Sequence, residues 1–313
     1  MWNEDDAMEA VTFPNGPVTM AGDLHLPEGF DPGGSYAGLA VVHPGGGVKE
    51  QAARLYAAAM AGRGFVALAF DASHQGESGG EPRFLEDPAA RVQDVRAAVD
   101  LLQGLDFVDA GRVGVLGVCA GGAYGVSAAM TDHRVGAVAT VSALNVGTTY
   151  RRGWFGTDPD SAAVATLEEV ARQRTDEVTR GAEVATMPYV PVEPDENTPR
   201  DLVLASEYLM TDRGRHPHAP NRKLFAQSLW RMLAFDAFHL VEELLTQPLL
   251  IVAGSAAGSL WHSTELHGRA RGPKRLVVVG GATHTDFYDV PEYVERAVSE
   301  AAPFFGEHLV ARG

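Results

Sequence analysis

Cysteine is almost absent from this chain of 313 residues, because Cys119 is the single one. A lone thiol can form no disulfide within the chain, and it cannot hold a structural zinc ion by itself. The residue is therefore either a small packed side chain or a reactive one.

Basic residues and long apolar runs are also scarce. The chain has 25 Lys and Arg against 41 Asp and Glu, which gives a formal net charge of −16. This balance argues against nucleic acid and anionic membranes as partners and favours a small-molecule substrate. No apolar run approaches a membrane span, and the first six residues lack the features of a signal peptide, so we expect a cytoplasmic protein. A homodimer is compatible with these features.

The order of predicted strands and helices indicates one principal α/β core. Two extended stretches, 9–13 and 18–26, flank Asn15-Gly16, a dipeptide typical of a hairpin turn. Further along, buried strands alternate with helical patterns, which predicts a mostly parallel, doubly wound sheet. Asp289 is expected to cap the closing helix as the first residue of a capping box.

A long interruption divides this alternating pattern. Residues 147–246 are far too many for an ordinary connection between sheet elements, so we expect an insertion with its own structure. Helical periodicity over 162–177 and helical spacing over 221–245 predict a mainly helical lid. The core then consists of residues 1–146 and 247–313.

Large aromatic side chains of the insertion are candidates for substrate binding. Trp154, Tyr208 and Trp230 offer broad apolar faces that suit a hydrophobic ligand. We expect the insertion to close over a pocket at the carboxyl ends of the strands and to determine which substrate fits.

The neighbours of Cys119 in the sequence favour the reactive role. Gly117-Val118-Cys119-Ala120-Gly121 lies between a predicted strand and a predicted helix, and it is a nucleophile-elbow pattern with Cys where Ser is more common. The turn strains the backbone of the nucleophile, and glycines leave room where strand and helix nearly touch. A thiol at a helix N-terminus ionises more readily, especially beside an imidazolium.

His284 is the candidate general base. It follows the last predicted strand, where the chain order of nucleophile, acid and histidine places the base. The backbone N–H of Ala120 and one from the glycine run after His43 are expected to form an oxyanion hole, with Gly46 or Gly47 as the second donor.

Four segments together carry a resemblance to a known family. They are residues 43–51, 70–80, 117–122 and 281–289. The chain resembles the α/β hydrolases related to dienelactone hydrolase, and more closely their polyketide-transferase-like branch. The resemblance implies an α/β-hydrolase fold, no metal or redox cofactor, and hydrolysis or acyl transfer on esters, lactones or thioesters. A cyclase or carbon–carbon lyase using the same pocket, and a ligand-binding protein on a retired hydrolase scaffold, are the alternatives.

The acid that usually orients the histidine is missing. The loop after the next-to-last strand, 255–259, contains no carboxylate. Asn145, Asp71 and Glu77 are the candidates for orienting His284 in its place. A partly ionised thiol needs an oriented base less than a serine does, so a Cys–His pair can suffice.

Gly258 stands where the common pattern places the aspartate. If His284 is under-oriented, Gly258→Asp should raise the initial rate of hydrolysis of a simple activated ester. An unchanged rate would mean that another residue already holds the imidazole.

Overall fold

The structure, a computed structural model, describes residues 8–310, so the expectation drawn from the first six residues lies outside it. The described strands are β1 (Met8–Asn15), β2 (Val18–His25), β3 (Tyr36–Val42), β4 (Val66–Phe70), β5 (Val108–Val118), β6 (Val135–Val141), β7 (Thr186–Met187), β8 (Lys223–Leu224), β9 (Leu249–Gly254) and β10 (Lys274–Val279). Eight of them form the main sheet in the order β1-β2-β4-β3-β5-β6-β9-β10, and β7 and β8 form a separate pair.

Helices cover both faces of the main sheet and build most of the insertion. They are α1 (Arg54–Ala61), preceded by a π-helical turn (Lys49–Ala53), α2 (Pro88–Gln103), α3 (Ala120–Ala129), α4 (Val146–Arg152), α5 (Asp160–Arg180), α6 (Arg200–Met210), α7 (Phe225–Ala234), α8 (Val241–Leu244), α9 (Leu260–Arg269), α10 (Asp286–Asp289) and α11 (Pro291–His308). Of the helices between residues 8 and 310, none is both long and apolar enough to cross a membrane.

The predicted doubly wound α/β sheet is confirmed. β1 and β2 pair antiparallel around Gly16, whose φ of +57° suits a tight hairpin turn. β2 pairs antiparallel with β4, and the remaining pairs of the main sheet are parallel. Every residue of β4 is buried, as expected for a strand covered by helices on both faces.

Of two local predictions, one holds in part and one is wrong. The helical pattern over 221–245 corresponds to two helices, α7 and α8, separated by a loop that ends at Leu240, whose φ of +66° is left-handed. Asp289 does not cap the closing helix. The N-cap residue of α11 is Val290, and no side chain caps this helix end. The carboxylate of Asp289 instead accepts two hydrogen bonds of 2.7 Å from Arg213 of the insertion. A bidentate pair with a distant arginine outweighs the local cap here.

The inserted segment leaves the sheet after β6 and returns to it at β9. Its helices α5 and α7 pack on each other around a small apolar cluster. That cluster consists of Val170, Ala226, Leu229 and Leu233.

The turn between β5 and α3 brings three backbone segments unusually close together. A Cβ atom on Gly117 would lie 2.3 Å from the carbonyl oxygen of Gly121, and one on Gly121 would lie 2.3 Å from that of Val42. Backbone cannot give way as a flexible side chain can. These two positions therefore exclude any residue larger than glycine, which explains the glycines that the sequence pattern singled out.

Gly121→Ala should lower the free energy of unfolding by about 1–3 kcal/mol or more, because the added methyl overlaps backbone atoms. The matched control is Gly306→Ala in α11, where a Cβ meets nothing within 4 Å. That change should be neutral or raise stability by about 0.5–1 kcal/mol. Urea denaturation of both variants measures the difference, and equal effects would contradict this account of the turn.

Candidate active site

Cys119 occupies the turn between β5 and α3 in a strained conformation, with φ 56° and ψ −123°. Its backbone is fixed by a 2.9 Å hydrogen bond from its N–H to the carbonyl of Val141, and its own carbonyl accepts the N–H of Leu144 at 3.0 Å. The side chain is 8% exposed and lines a cavity. The thiol is therefore held at the N-terminus of α3 and directed into that cavity.

The sulfur of Cys119 contacts two polar side chains. His284 and Tyr288 line the cavity beside it, and both favour its thiolate form, His284 by charge and hydrogen bonding and Tyr288 by hydrogen bonding. Burial raises the pKa of the thiol, but His284 and these hydrogen bonds outweigh burial, so the pKa lies below the ordinary value of 9.0. Burial alone would lower the pKa of His284. The Cys119 thiolate outweighs burial, so the pKa of His284 lies above its ordinary value. The two shifts favour a thiolate–imidazolium pair.

Tyr288 is the second neighbour of the sulfur. Its hydroxyl lies 3.1 Å from Nε2 of His284. Burial, followed by the negative charge of Cys119, raises the pKa of Tyr288 well above 10. The phenol therefore stays protonated at neutral pH and can donate a hydrogen bond to the thiolate.

Ser259 holds the other nitrogen of the histidine ring. Its Oγ lies 2.6 Å from Nδ1 of His284, and both residues are buried. Ser259 ends the loop after β9, the loop in which the sequence lacks an acid. A hydroxyl can accept a hydrogen bond from Nδ1–H and so orient the ring, but it cannot supply a negative charge.

None of the three predicted orienters contacts the imidazole. Asn145 donates to Asp236 at 2.7 Å and accepts from the N–H of Ala237 at 3.2 Å. Asp71 accepts the N–H groups of Lys49 and Glu77, both at 2.8 Å. Glu77 pairs with the ammonium of Lys49 at 2.7 Å. The prediction that one of the three orients His284 is wrong, because contacts with other residues occupy their polar atoms.

A buried carboxylate does lie behind the histidine, and sequence reasoning missed it. Asp201, at the start of α6 in the inserted segment, accepts the backbone N–H of His284 at 2.9 Å. Its second oxygen accepts the N–H of Gly258 at 2.7 Å and the indole N–H of Trp154 at 2.9 Å. An acid in the first turn of a helix is common, so nothing in the sequence marks Asp201 as different.

The expected gain from Gly258→Asp does not fit this geometry. A Cβ on Gly258 would lie 2.6 Å from the ring of Phe155 and 2.7 Å from the indole nitrogen of Trp154. The new carboxylate would also adjoin Asp201, which already accepts the N–H of Gly258. The substitution should therefore displace the inserted segment rather than orient His284.

The glycine loop after β3 faces Cys119 from the other side of the cavity. Gly45 and Gly47 line the cavity together with Ala120, but the N–H of Gly47 is donated to the carbonyl of Pro44 at 3.1 Å. At Gly46, φ is +73° and a Cβ would lie 2.6 Å from the ring of Tyr189. Gly46 is not among the described residues that line the cavity, whereas Gly45 is, and the second oxyanion donor stays a prediction.

The cavity has a volume of about 260 Å³ and is lined by the core and by the inserted segment. Of the predicted aromatic residues, Trp154 and Tyr208 line it, whereas Trp230 does not. Trp230 packs against the small apolar cluster of the insertion. Met232, on the same helix, reaches the cavity in its place. Helical periodicity predicted an apolar face but not which of its residues faces the ligand.

Glu86 is the one carboxylate among the described residues that line the cavity. Its oxygens accept the hydroxyls of Tyr124 at 2.7 Å and Tyr189 at 2.8 Å, and the amide of Gln75 at 2.7 Å. Burial alone would raise the pKa of Glu86. Arg91 at 3.6 Å and these donors outweigh burial, so the pKa lies below the usual value. The charge is fully paired, and the cavity is electrically neutral apart from the thiolate–imidazolium pair.

One cluster outside the cavity has the composition of a metal site. Its possible ligand atoms lie within 4.8 Å of one another in two overlapping groups, Glu50-His216-His218 and Glu50-Asp71-Glu77. Lys49 donates to both Glu50 and Glu77 at this point. A metal cation would have to displace that ammonium, so the cluster is explained as an ion-pair network.

Comparison with known proteins places the chain in a family. Residues 36–286 match the X-Pro dipeptidyl-peptidase (S15) family. The chain belongs to that family. This S15-family chain is 43% identical over 302 residues to the uncharacterised protein YcjY of Escherichia coli K12, covering 96% of this chain and 98% of the relative.

Solved structures confirm the α/β-hydrolase fold. The structure of the hypothetical protein PA2218 from Pseudomonas aeruginosa matches this S15-family chain with a TM-score of 0.90 at 33% identity, covering 98% of this chain and 95% of the other. The α/β hydrolase GrgF from Penicillium matches with a TM-score of 0.77 at 22% identity, covering 97% and 98%. The predicted superfamily is therefore correct, while the role of Cys119 stays a prediction.

Ser259→Ala should lower kcat on an activated aryl ester about tenfold, because the buried Nδ1 of His284 loses the group that orients the ring. Ser263→Ala in α9 is the matched control, since that buried hydroxyl has no partner in the structure. Initial rates of the two variants decide the question. Equal rates would show that Ser259 does not orient the base.

Proposed function

We propose that the protein is a thiol-nucleophile hydrolase or acyltransferase that forms an acyl-Cys119 intermediate. The observation that carries this proposal is the thiol on its strained turn, which lines the cavity together with His284 and Tyr288, both of which favour its thiolate form. The thiolate attacks the carbonyl carbon of an ester, lactone or thioester, and the carbonyl electrons move onto the oxygen. The imidazolium then protonates the leaving alcohol or thiol as the tetrahedral intermediate collapses.

The second half of the reaction reverses these roles. Neutral His284 removes a proton from water or from an acceptor alcohol or thiol, which attacks the acyl-thioester and releases Cys119. In both halves the oxyanion accepts a hydrogen bond from the backbone N–H of Ala120. The N–H of Gly45, which lines the cavity, is the proposed second donor.

The cavity suits a neutral, largely apolar acyl group of small to middle size. Most of its lining is aliphatic or aromatic, and its volume of about 260 Å³ accommodates a short chain or a small ring. The family name refers to the release of N-terminal dipeptides, whose free amine needs an anionic partner. Glu86 already accepts three hydrogen bonds and forms an ion pair with Arg91, so we propose an uncharged acyl donor instead.

The names of several relatives agree with acyl chemistry. Acyltransferase drtE of Aspergillus calidoustus is 35% identical over 103 residues, and thiohydrolase aneE of Aspergillus aculeatus is 32% identical over 127 residues. The polyketide transferase grgF of Penicillium is 26% identical over 239 residues. A polyketide-like acyl group is therefore a suitable first class of substrate to test.

We further propose that residues 147–246 act as a lid that selects the substrate. Tyr150, Trp154, Tyr189, Tyr208 and Met232 of this segment line the cavity above Cys119. Substitutions among them should change KM and acyl-chain preference more than they change the reactivity of the thiol.

Cys119→Ala should abolish turnover of an activated aryl ester or acyl thioester and leave the fold intact, because alanine fits the same space. Cys119→Ser should be strongly impaired, since a hydroxyl does not ionise without a strong oriented base. Intact mass during turnover should show the wild type, but not the alanine variant, heavier by one acyl group. Turnover by Cys119→Ala would refute the nucleophile, and an inert wild-type thiol would favour a ligand-binding protein.

A further inference from the structure

The carboxylate of Asp201 joins three parts of the chain directly behind the proposed base. It is 4% exposed and accepts N–H groups from His284, from Gly258 and from Trp154, at 2.9, 2.7 and 2.9 Å. The loop after β10 carries His284, the loop after β9 carries Gly258, and the inserted segment carries Trp154 and Asp201 itself. One side chain thus fixes both loops against the insertion.

All three of these donors are uncharged. A buried anion without a cationic partner is costly, and neutral hydrogen bonds offset only part of that cost. The cation that Asp201 faces is the imidazolium of His284, whose charge it stabilises. Ser259, the ring's direct partner at Nδ1, supplies no charge. The charge of the missing acid is therefore present in the structure, in a different place on the chain.

We infer that Asp201 is a positioning residue for His284, through which the inserted segment supplies the negative charge that the loop after β9 lacks. This inference rests on the proposed function. Asp201 does not touch the ring. It holds the backbone of His284 and the loop of Ser259, and its negative charge stabilises the imidazolium.

The inference gives the inserted segment a chemical role besides covering the cavity. Asp201 belongs to α6, so the position of this helix decides whether a negative charge stands behind His284. The inserted segment that lines the cavity thereby also stabilises the thiolate–imidazolium pair.

The test uses alkylation of Cys119 by iodoacetate, which reports one site because the chain has a single cysteine. The anionic reagent reacts fastest with a thiolate beside an imidazolium, so its rate falls at low pH and again when the imidazolium deprotonates. The titratable groups facing His284 are Cys119, Tyr288, His262 and Asp201. Asp201→Asn removes charge from one of these four while keeping the side-chain size.

Asp201→Asn should move the alkaline limb of this profile to lower pH by about one unit, because an imidazolium without a nearby anion deprotonates more easily. The maximal alkylation rate and kcat should fall about tenfold or more. Glu207→Gln is the matched control, since it makes the same change at an exposed position of the same helix. Its profile should match the wild type.

A second variant, Asp201→Ser, guards against a loss of folding specific to asparagine, and circular dichroism verifies both folds. Folded variants that keep the wild-type alkaline limb would overturn the inference and leave the nucleophile assignment standing. Unfolding of both would assign Asp201 a purely structural role and also overturn it. A wild-type Cys119 that shows no enhanced alkylation at neutral pH would instead contradict the proposed function itself.

Discussion

The tight turn from β5 to α3 at Cys119 is the constraint on which the site depends. Strand, turn and helix approach so closely that Gly117 and Gly121 have no room for a side chain. The turn also forces Cys119 to a positive φ, which an L-residue adopts only when its surroundings hold it there. As a result, the sulfur is fixed at the N-terminus of α3 and directed into the cavity, which His284 and Tyr288 also line.

The inserted segment contributes to the site as much as the sheet does. Tyr189 covers Gly46 of the loop after β3 and hydrogen-bonds to Glu86. Trp154 packs edge-on against the ring of His284, and Asp201 accepts its backbone N–H. These contacts tie the insertion to both sides of the cleft, so the geometry around the thiol depends on how this segment is seated.

The electrostatics of the cavity separate one reactive pair from a neutral background. Glu86 and Arg91 are buried, but each is paired and hydrogen-bonded, so they present no unbalanced charge to a ligand. Among the described residues, Cys119 and His284 then form the charge pair that lines the cavity without other ionic partners there. In a cavity lined mostly by apolar side chains, such charges act on each other more strongly than they would in water.

The sequence by itself determined the sheet, the elbow, and the pairing of Cys119 with His284. Alternating buried strands and helices, glycines around a strand-to-helix turn, and the position of a histidine after the last strand are all local patterns imposed by backbone geometry. Only the tertiary structure decided what stands behind the histidine. Ser259 and Asp201 are 58 positions apart, and Asp201 lies at a helix start where acids are ordinary. Their meeting depends on how a hundred-residue insertion packs against two loops, and that packing has no local signature in the sequence.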